Sequence, residues 1–221
     1  MQAYCINLAR NPERRETARV EFEREGLDVT FFRATDGKAE APEGLFITKS
    51  EWGCADSHIR VWRDIVENGH EMALVFEDDI SLGPNFSSKL QKVLEELPPD
   101  WDHVNLDPHG VYRVDNSKFS ENLMTGKALG ASAYLISLKC AKQWSTWDSK
   151  LLKVQFDSLV AQYPNRSFHV YEPLAHQSLA HTSQIGWPTN RTMDWQVFIN
   201  RWGVLIAFFM FLFLFWRVIF E

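Results

Sequence analysis

Ala73-Leu74-Val75-Phe76 runs without a break into Glu77-Asp78-Asp79, and few folds accept such a junction. Four consecutive apolar residues read as a strand buried on both faces, the kind found in the middle of a parallel sheet. Such a strand delivers three carboxylates to its carboxyl end. Crowded carboxylates repel one another, and desolvation penalises their charged forms further. A divalent cation would relieve both costs, and hard oxygen ligands suit Mn2+ or Mg2+. If the extended backbone continues, its period of two sets Glu77 and Asp79 on one face and Asp78 on the other. A solvated acidic turn, or the cap of a helix following Pro84, is the alternative reading of the same residues.

The surrounding elements define an α/β chain. Tyr4-Cys5-Ile6-Asn7-Leu8 forms a short apolar strand, and Asn11-Pro12-Glu13 carries the signals of a helix start, with Gly26 as its stop. Val29 to Phe32 forms the second strand, completing a strand–helix–strand unit. Arg10, Arg14, Arg15 and Arg19 crowd the first helix, where arginines could grip a pyrophosphate or simply pair with Glu21, Glu23 and Glu25. Asp36 follows the second strand either as a ligand-binding residue or as part of an Asp-Gly turn. A helix opens at Ser50 and carries Ser57 and His58; another runs from Pro84 to Leu97. Residues 102–107 and 130–137 read as strands, the second rich in small residues. Gln155-Phe156-Asp157 opens a short helix, and Phe168 to Tyr171 reads as the last strand. His176 and His181 lie in the loop beyond it as candidate metal ligands.

A net charge of −6 argues against a nucleic-acid partner, which would need a basic face. The three scattered cysteines, without a CxxC pair, argue against a disulfide framework or a zinc site and fit a reducing compartment. From Trp202 to Trp216 no charged residue appears. Continued to Phe220, this run is about 28 Å long as a helix, at about 1.5 Å per residue, against a hydrocarbon core of about 30 Å. The expected organisation is therefore a catalytic domain over 1–186, a linker over 187–201 and a single-pass transmembrane helix over 202–220. With no signal-like N-terminus, the expected location is a membrane, with the catalytic domain on the cytoplasmic side.

Taken together and in order, Ile6-Asn7-Leu8, Glu13-Arg14-Arg15, Thr35-Asp36-Gly37, Gly53-Cys54 with Ser57-His58 and Trp62, and Leu74 to Asp79 resemble glycosyltransferase family 25. Ala133 to Ser137, Asp157 and Pro173-Leu174 with Gln177 continue the likeness, which covers residues 3–186. The resemblance implies a GT-A fold, a Rossmann-like mixed sheet flanked by helices. It also implies a nucleotide-diphosphate-sugar donor, UDP-galactose by analogy, and an Mn2+-type ion. The acceptor would be an oligosaccharide or lipid-linked glycan such as lipooligosaccharide, and displacement would invert the anomeric carbon. Carried over by position, Asn7, Arg10, Arg14, Arg15, Asp36, His58, Glu77, Asp78 and Gln177 fall to the donor. Glu77, Asp79 and His181 fall to the metal, and Asp79 and Asp157 to catalysis, with Asp157 as the base. Two rivals remain: a metal-dependent phosphohydrolase, and a catalytically silent, membrane-tethered binding protein of the same fold.

Overall fold

The structure, a computed structural model, describes residues 1–108, 111–112, 117–163 and 166–178. His181 and the apolar run over 202–220 lie outside them. Among the described residues, no helix is long and apolar enough to cross a membrane.

The chain opens with strand β1 (Gln2–Asn7), helix α1 (Pro12–Arg24) and strand β2 (Thr30–Arg33), the expected unit. Next come α2 (Gly37–Glu40), α3 (Lys49–Glu67), β3 (Met72–Glu77), β4 (Ile80–Leu82) and α4 (Phe86–Glu96). Strand β5 (His103–Asn105), β6 (Val111–Tyr112), β7 (Leu123–Thr125), β8 (Lys127–Ala128) and β9 (Ala133–Ser137) follow. The described part ends with α5 (Leu138–Trp144), α6 (Phe156–Gln162), β10 (Ser167–Val170) and β11 (Ala175–Gln177). Seven strands form one sheet in the order β2-β1-β3-β9-β5-β10-β7. β1 is parallel to both β2 and β3, whereas β9 runs antiparallel to β3 and to β5. The sheet is mixed, so β3 lies inside it as expected but has a parallel neighbour on one side only.

Strand alternation divides the core between the two faces. Ala3, Cys5, Leu74 and Phe76 pack with Ala18 and Phe22 of α1 and Leu90 and Val93 of α4. Tyr4, Ile6, Ala73 and Val75 pack on the other face with Ile59 and Trp62 of α3, Trp144 of α5 and Phe156 of α6. Helix α3 starts one residue before the sequence-based boundary, on a capping box. Thr48 Oγ1 accepts from Glu51 N at 3.2 Å, and Glu51 Oε2 accepts from Thr48 N at 2.8 Å. His58 lies in mid-helix and is fully buried.

Several strands depart from the sequence reading. β7 and β8 lie in a stretch without apolar alternation, and β10 is not the last strand. β11 pairs antiparallel with β4, setting Gln177 opposite Ile80. Both are three residues long, too short for periodicity to register.

Candidate active site

A cleft of about 680 Å3, including space open to solvent, lies at the carboxyl ends of β1, β2 and β3. Its walls include Arg10, Arg14, Asp36, His58, Glu77, Asp78, Asp79 and Gln177. This is the edge at which open α/β sheets bind ligands.

The three acids do not share one environment. β3 ends at Glu77, and residues 78 and 79 form a turn. Glu77 continues the alternation of Ala73 and Val75 and so faces α3. Its Oε1 lies 3.2 Å from His58 Nε2 and accepts from Cys54 Sγ at 3.6 Å. Asp78 falls on the α1 face, where Asn7 Nδ2 donates to Oδ2 at 2.6 Å and Arg14 Nε lies 3.0 Å from Oδ1. Strict alternation would have returned Asp79 to Glu77. Instead the turn leaves it beside Asp78, and its Oδ2 is held by Arg14 Nη2 and by Gln177 Nε2, the latter at 2.9 Å. The expected pairing of Glu77 with Asp79 is thus replaced by Asp78 with Asp79, because the strand stops one residue earlier than alternation needs.

The electrostatics follow this division. Burial raises the Asp79 carboxyl, the neighbouring Glu77 charge raises it further, and Arg14 and Gln177 only partly oppose them; the result is about 6. Burial also raises Asp78, against Arg14 and the Asn7 hydrogen bond. For Glu77 burial acts upward too, but the His58 hydrogen bond and charge outweigh it and hold the carboxyl below its ordinary value. Arg14 supplies one positive charge to two carboxylates, so the acids are partly compensated by the chain itself. What remains is Asp79 Oδ1, buried and without a hydrogen-bond partner. An orphaned carboxylate oxygen beside a second carboxylate fits a hard divalent cation, and Asp78 and Asp79 are the residues that would hold one.

Other residues named from the sequence fall around this centre. Arg10 pairs with Asp36, whose Oδ1 also caps α2 by accepting from Lys38 N at 3.0 Å. Asp36 thus caps a helix and also lines the cleft. Asn7 supports Asp78 without lining the cleft. Arg15 does not line it either: about 100° of helical rotation from Arg14 turns it over the Phe31 ring, 4.5 Å from the centroid. Asp157 stands in the first turn of α6 and receives its neighbour's Ser158 N–H at 2.6 Å. It is not among the lining residues, yet its charge acts on Cys54, which is. Cys54 is the residue sequence reasoning passed over. The available signal was its spacing of four from His58, which puts both on one helical face.

Two glycines shape the cleft rim. A Cβ on Gly37 would lie 1.8 Å from Lys49 O, and one on Gly53 would lie 2.7 Å from Gly37 N. The start of α2 and the first turns of α3 thus meet backbone to backbone, which accounts for glycine in Thr35-Asp36-Gly37 and in Gly53-Cys54.

The architecture is shared with a solved glycosyltransferase involved in glycosylation of the major capsid of PBCV-1. The TM-score is 0.51 at 10% identity, covering 82% of this chain and 93% of that one. The fold is that of a GT-A-like glycosyltransferase. The sequence model of glycosyltransferase family 25 (LPS biosynthesis protein) matches residues 1–160, and the chain belongs to this family. An Aedes aegypti glycosyltransferase 25 family member is 33% identical in an alignment of 164 positions that covers 63% of this chain and 27% of the relative. A Bos taurus protein named probable inactive glycosyltransferase 25 family member 3 is 28% identical over 206 residues, 77% of this chain and 33% of its own length. Danio rerio procollagen galactosyltransferase 1 is 32% identical over 125 residues, 47% and 20% respectively. The chain thus spans a third or less of these relatives.

Proposed function

We propose that the chain is a hexosyltransferase that moves galactose from UDP-galactose to a hydroxyl of an oligosaccharide or lipid-linked glycan, with inversion and with Mn2+ or Mg2+ as cofactor. One observation carries this reading: two arginines and the Asp78–Asp79 pair converge in a single cleft at the carboxyl edge of the sheet. A nucleotide diphosphate needs that combination of positive side chains and hard oxygen donors. The galactosyltransferase name of the zebrafish relative supports the choice of sugar.

In this reading Arg10 and Arg14 bind the diphosphate oxygens and exclude water from them. A divalent cation, when bound, offsets charge on the departing diphosphate. The acceptor oxygen forms its bond to the anomeric carbon as the carbon–oxygen bond to phosphate breaks, and the acceptor proton passes to a carboxylate base, for which Asp157, near Cys54 but off the cleft lining, is the candidate. Asp36, on the cleft wall, contacts the donor.

The test is a panel of nucleotide sugars offered to the full chain with glycan acceptors, with and without Mn2+. Galactose transfer that disappears in excess chelator is the expected result. Release of phosphate without a glycosylated product would identify a phosphohydrolase instead. A second reading has its own observation. Arg14 already compensates Asp78 and Asp79, so the acids can persist without a metal, as they would in a silent binding protein. Binding of UDP-galactose with no turnover on any acceptor would favour it.

Two further outcomes are expected. Asp157→Asn keeps a side chain able to accept the local N–H but unable to take a proton. Turnover should fall by about a hundredfold or more, with donor affinity and melting temperature close to parent values. Normal turnover would return Asp157 to a purely local role. For location, the apolar run over 202–220 is the proposed anchor, separated from the catalytic domain by residues 187–201. Truncation before Arg201 should release active protein from a carbonate-washed membrane pellet, and retention in the pellet would place the membrane contact elsewhere.

A further inference from the structure

We propose that Cys54, His58 and Glu77 form a site for a zinc-class divalent cation at the floor of the cleft, distinct from the Asp78–Asp79 pair. The thiol sulfur, the imidazole Nε2 and a Glu77 carboxylate oxygen all lie within 4.8 Å of one another. Cys54 and His58 are one helical turn apart on α3, the i,i+4 spacing that lets two ligands share an ion. Glu77 arrives from β3 because strand alternation turns it toward α3. The absence of a CxxC pair does not bear on a site assembled across a helix and a strand.

The spacing fits tetrahedral zinc. Bonds of about 2.3 Å to sulfur, about 2.05 Å to imidazole nitrogen and about 2.1 Å to carboxylate oxygen give tetrahedron edges of about 3.6 Å (S–O) and about 3.4 Å (N–O). The observed separations are 3.6 Å from Cys54 Sγ to Glu77 Oε1 and 3.2 Å from His58 Nε2 to the same oxygen. The outer contacts are also those a ligating histidine needs. His58 Nδ1 lies 2.9 Å from Tyr134 Oη, which accepts from Trp62 Nε1 at 2.9 Å, and Phe156 stacks on the ring at 4.3 Å between centroids. The direction of the His58 Nδ1–Tyr134 Oη hydrogen bond is set by the imidazole tautomer, and Nε2 is the ring nitrogen that faces Glu77. Binding releases the Cys54 thiol proton to solvent and takes the Nε2 lone pair of the neutral imidazole. All three ligands line the cleft, so a fourth position faces exogenous oxygen donors. Thiolate and imidazole select zinc-class ions over Mn2+ and Mg2+, whose preferred donors are oxygens.

This site does not depend on the glycosyltransferase reading, and its test reads no transfer. Co2+ is titrated into the metal-free full chain as a spectroscopic stand-in for Zn2+. A near-ultraviolet thiolate-to-cobalt charge-transfer band should saturate at one equivalent, be bleached by Zn2+, and survive Mg2+. Cys54→Ser should abolish the band, and Asp79→Asn should retain it. No band in the parent, a band retained in Cys54→Ser, or a band lost in Asp79→Asn would each overturn the assignment. Should Cys54→Ser melt well below the parent, alkylation of the parent decides. Zn2+ must slow modification of Cys54 by at least tenfold, and an unchanged rate overturns the site. Cys5 and Cys140, both buried in the core, serve as internal references.

Discussion

Asp79→Asn is expected to abolish transfer and, at pH 7.5, to raise the melting temperature of the metal-free protein. Both effects come from the same burial. The folded-state Asp79 carboxyl lies at about 6, above its ordinary 3.8, because burial and the Glu77 charge disfavour the anion. An acid raised in this way binds more protons folded than unfolded. Its favourable contribution is complete below about pH 4 and is lost as the pH rises through about 6. Near neutrality the ionised carboxylate therefore destabilises the metal-free fold, by at most on the order of 3 kcal/mol. Asparagine imitates the protonated acid and removes that cost. Melting curves of parent and variant should separate by several degrees at pH 7.5 and converge as the pH falls toward 4. Added Mn2+ should stabilise the parent and leave the variant unmoved, since only a ligand that binds the native state shifts the transition. A variant that melts below the parent at pH 7.5, or a difference that ignores pH, would show that Asp79 is not held against its charge.

The sheet was readable from the sequence where strands are long and mostly apolar. β1, β3 and β9 carry five or six residues each, and their runs stand out against polar flanks. β4 and β11 did not stand out, because three residues give no period and their register is imposed by pairing. That miss has a consequence at the site. The β4–β11 pairing is what carries Gln177 to Asp79, so the contact depends on tertiary structure although both residues were named from the sequence.

The site was readable by residue type and not by partnership. The acidic triplet, the arginines and His58 all fall in one cleft. Which acid meets which base was set by a single backbone event, the end of β3 at Glu77. An unbroken strand would have given two acids toward α3 and one toward α1. The turn reverses the ratio, and it leaves Glu77 alone with the thiol and imidazole. Arg14 and Arg15 are adjacent in sequence and diverge for a similar reason, since a helix rotates successive residues onto different faces. The notion of three uncompensated carboxylates also needs revision, for Arg14 bridges two of them.

Gly37→Ala and Gly53→Ala should each strip the cleft of its ligand and lower stability by about 3 kcal/mol or more, at or above the upper end of the usual cost of overpacking. The size follows from what the new methyl meets. At Gly37 it would lie 1.8 Å from Lys49 O and 2.7 Å from Lys49 C; at Gly53 it would lie 2.7 Å from Gly37 N, 2.9 Å from Gly37 Cα and 2.9 Å from Thr35 O. All of these are backbone atoms, so no side chain can rotate aside. Relief requires α2 to part from α3, and that displaces Thr35, Asp36 and Cys54 along the cleft wall together. Gly26→Ala is the control, because at φ +66° with nothing within 4 Å it bears conformational strain alone, worth roughly 1–2 kcal/mol. Calorimetric titration with UDP beside melting curves reads both effects. Gly26→Ala should lose stability and keep UDP affinity, whereas Gly37→Ala and Gly53→Ala should lose both. The double variant Gly37→Ala/Gly53→Ala should cost less than the sum of the singles, since one separation of the two helices relieves both clashes. Additive losses would mean that the two glycines answer to different contacts, and full UDP affinity in either single variant would detach this rim from ligand binding.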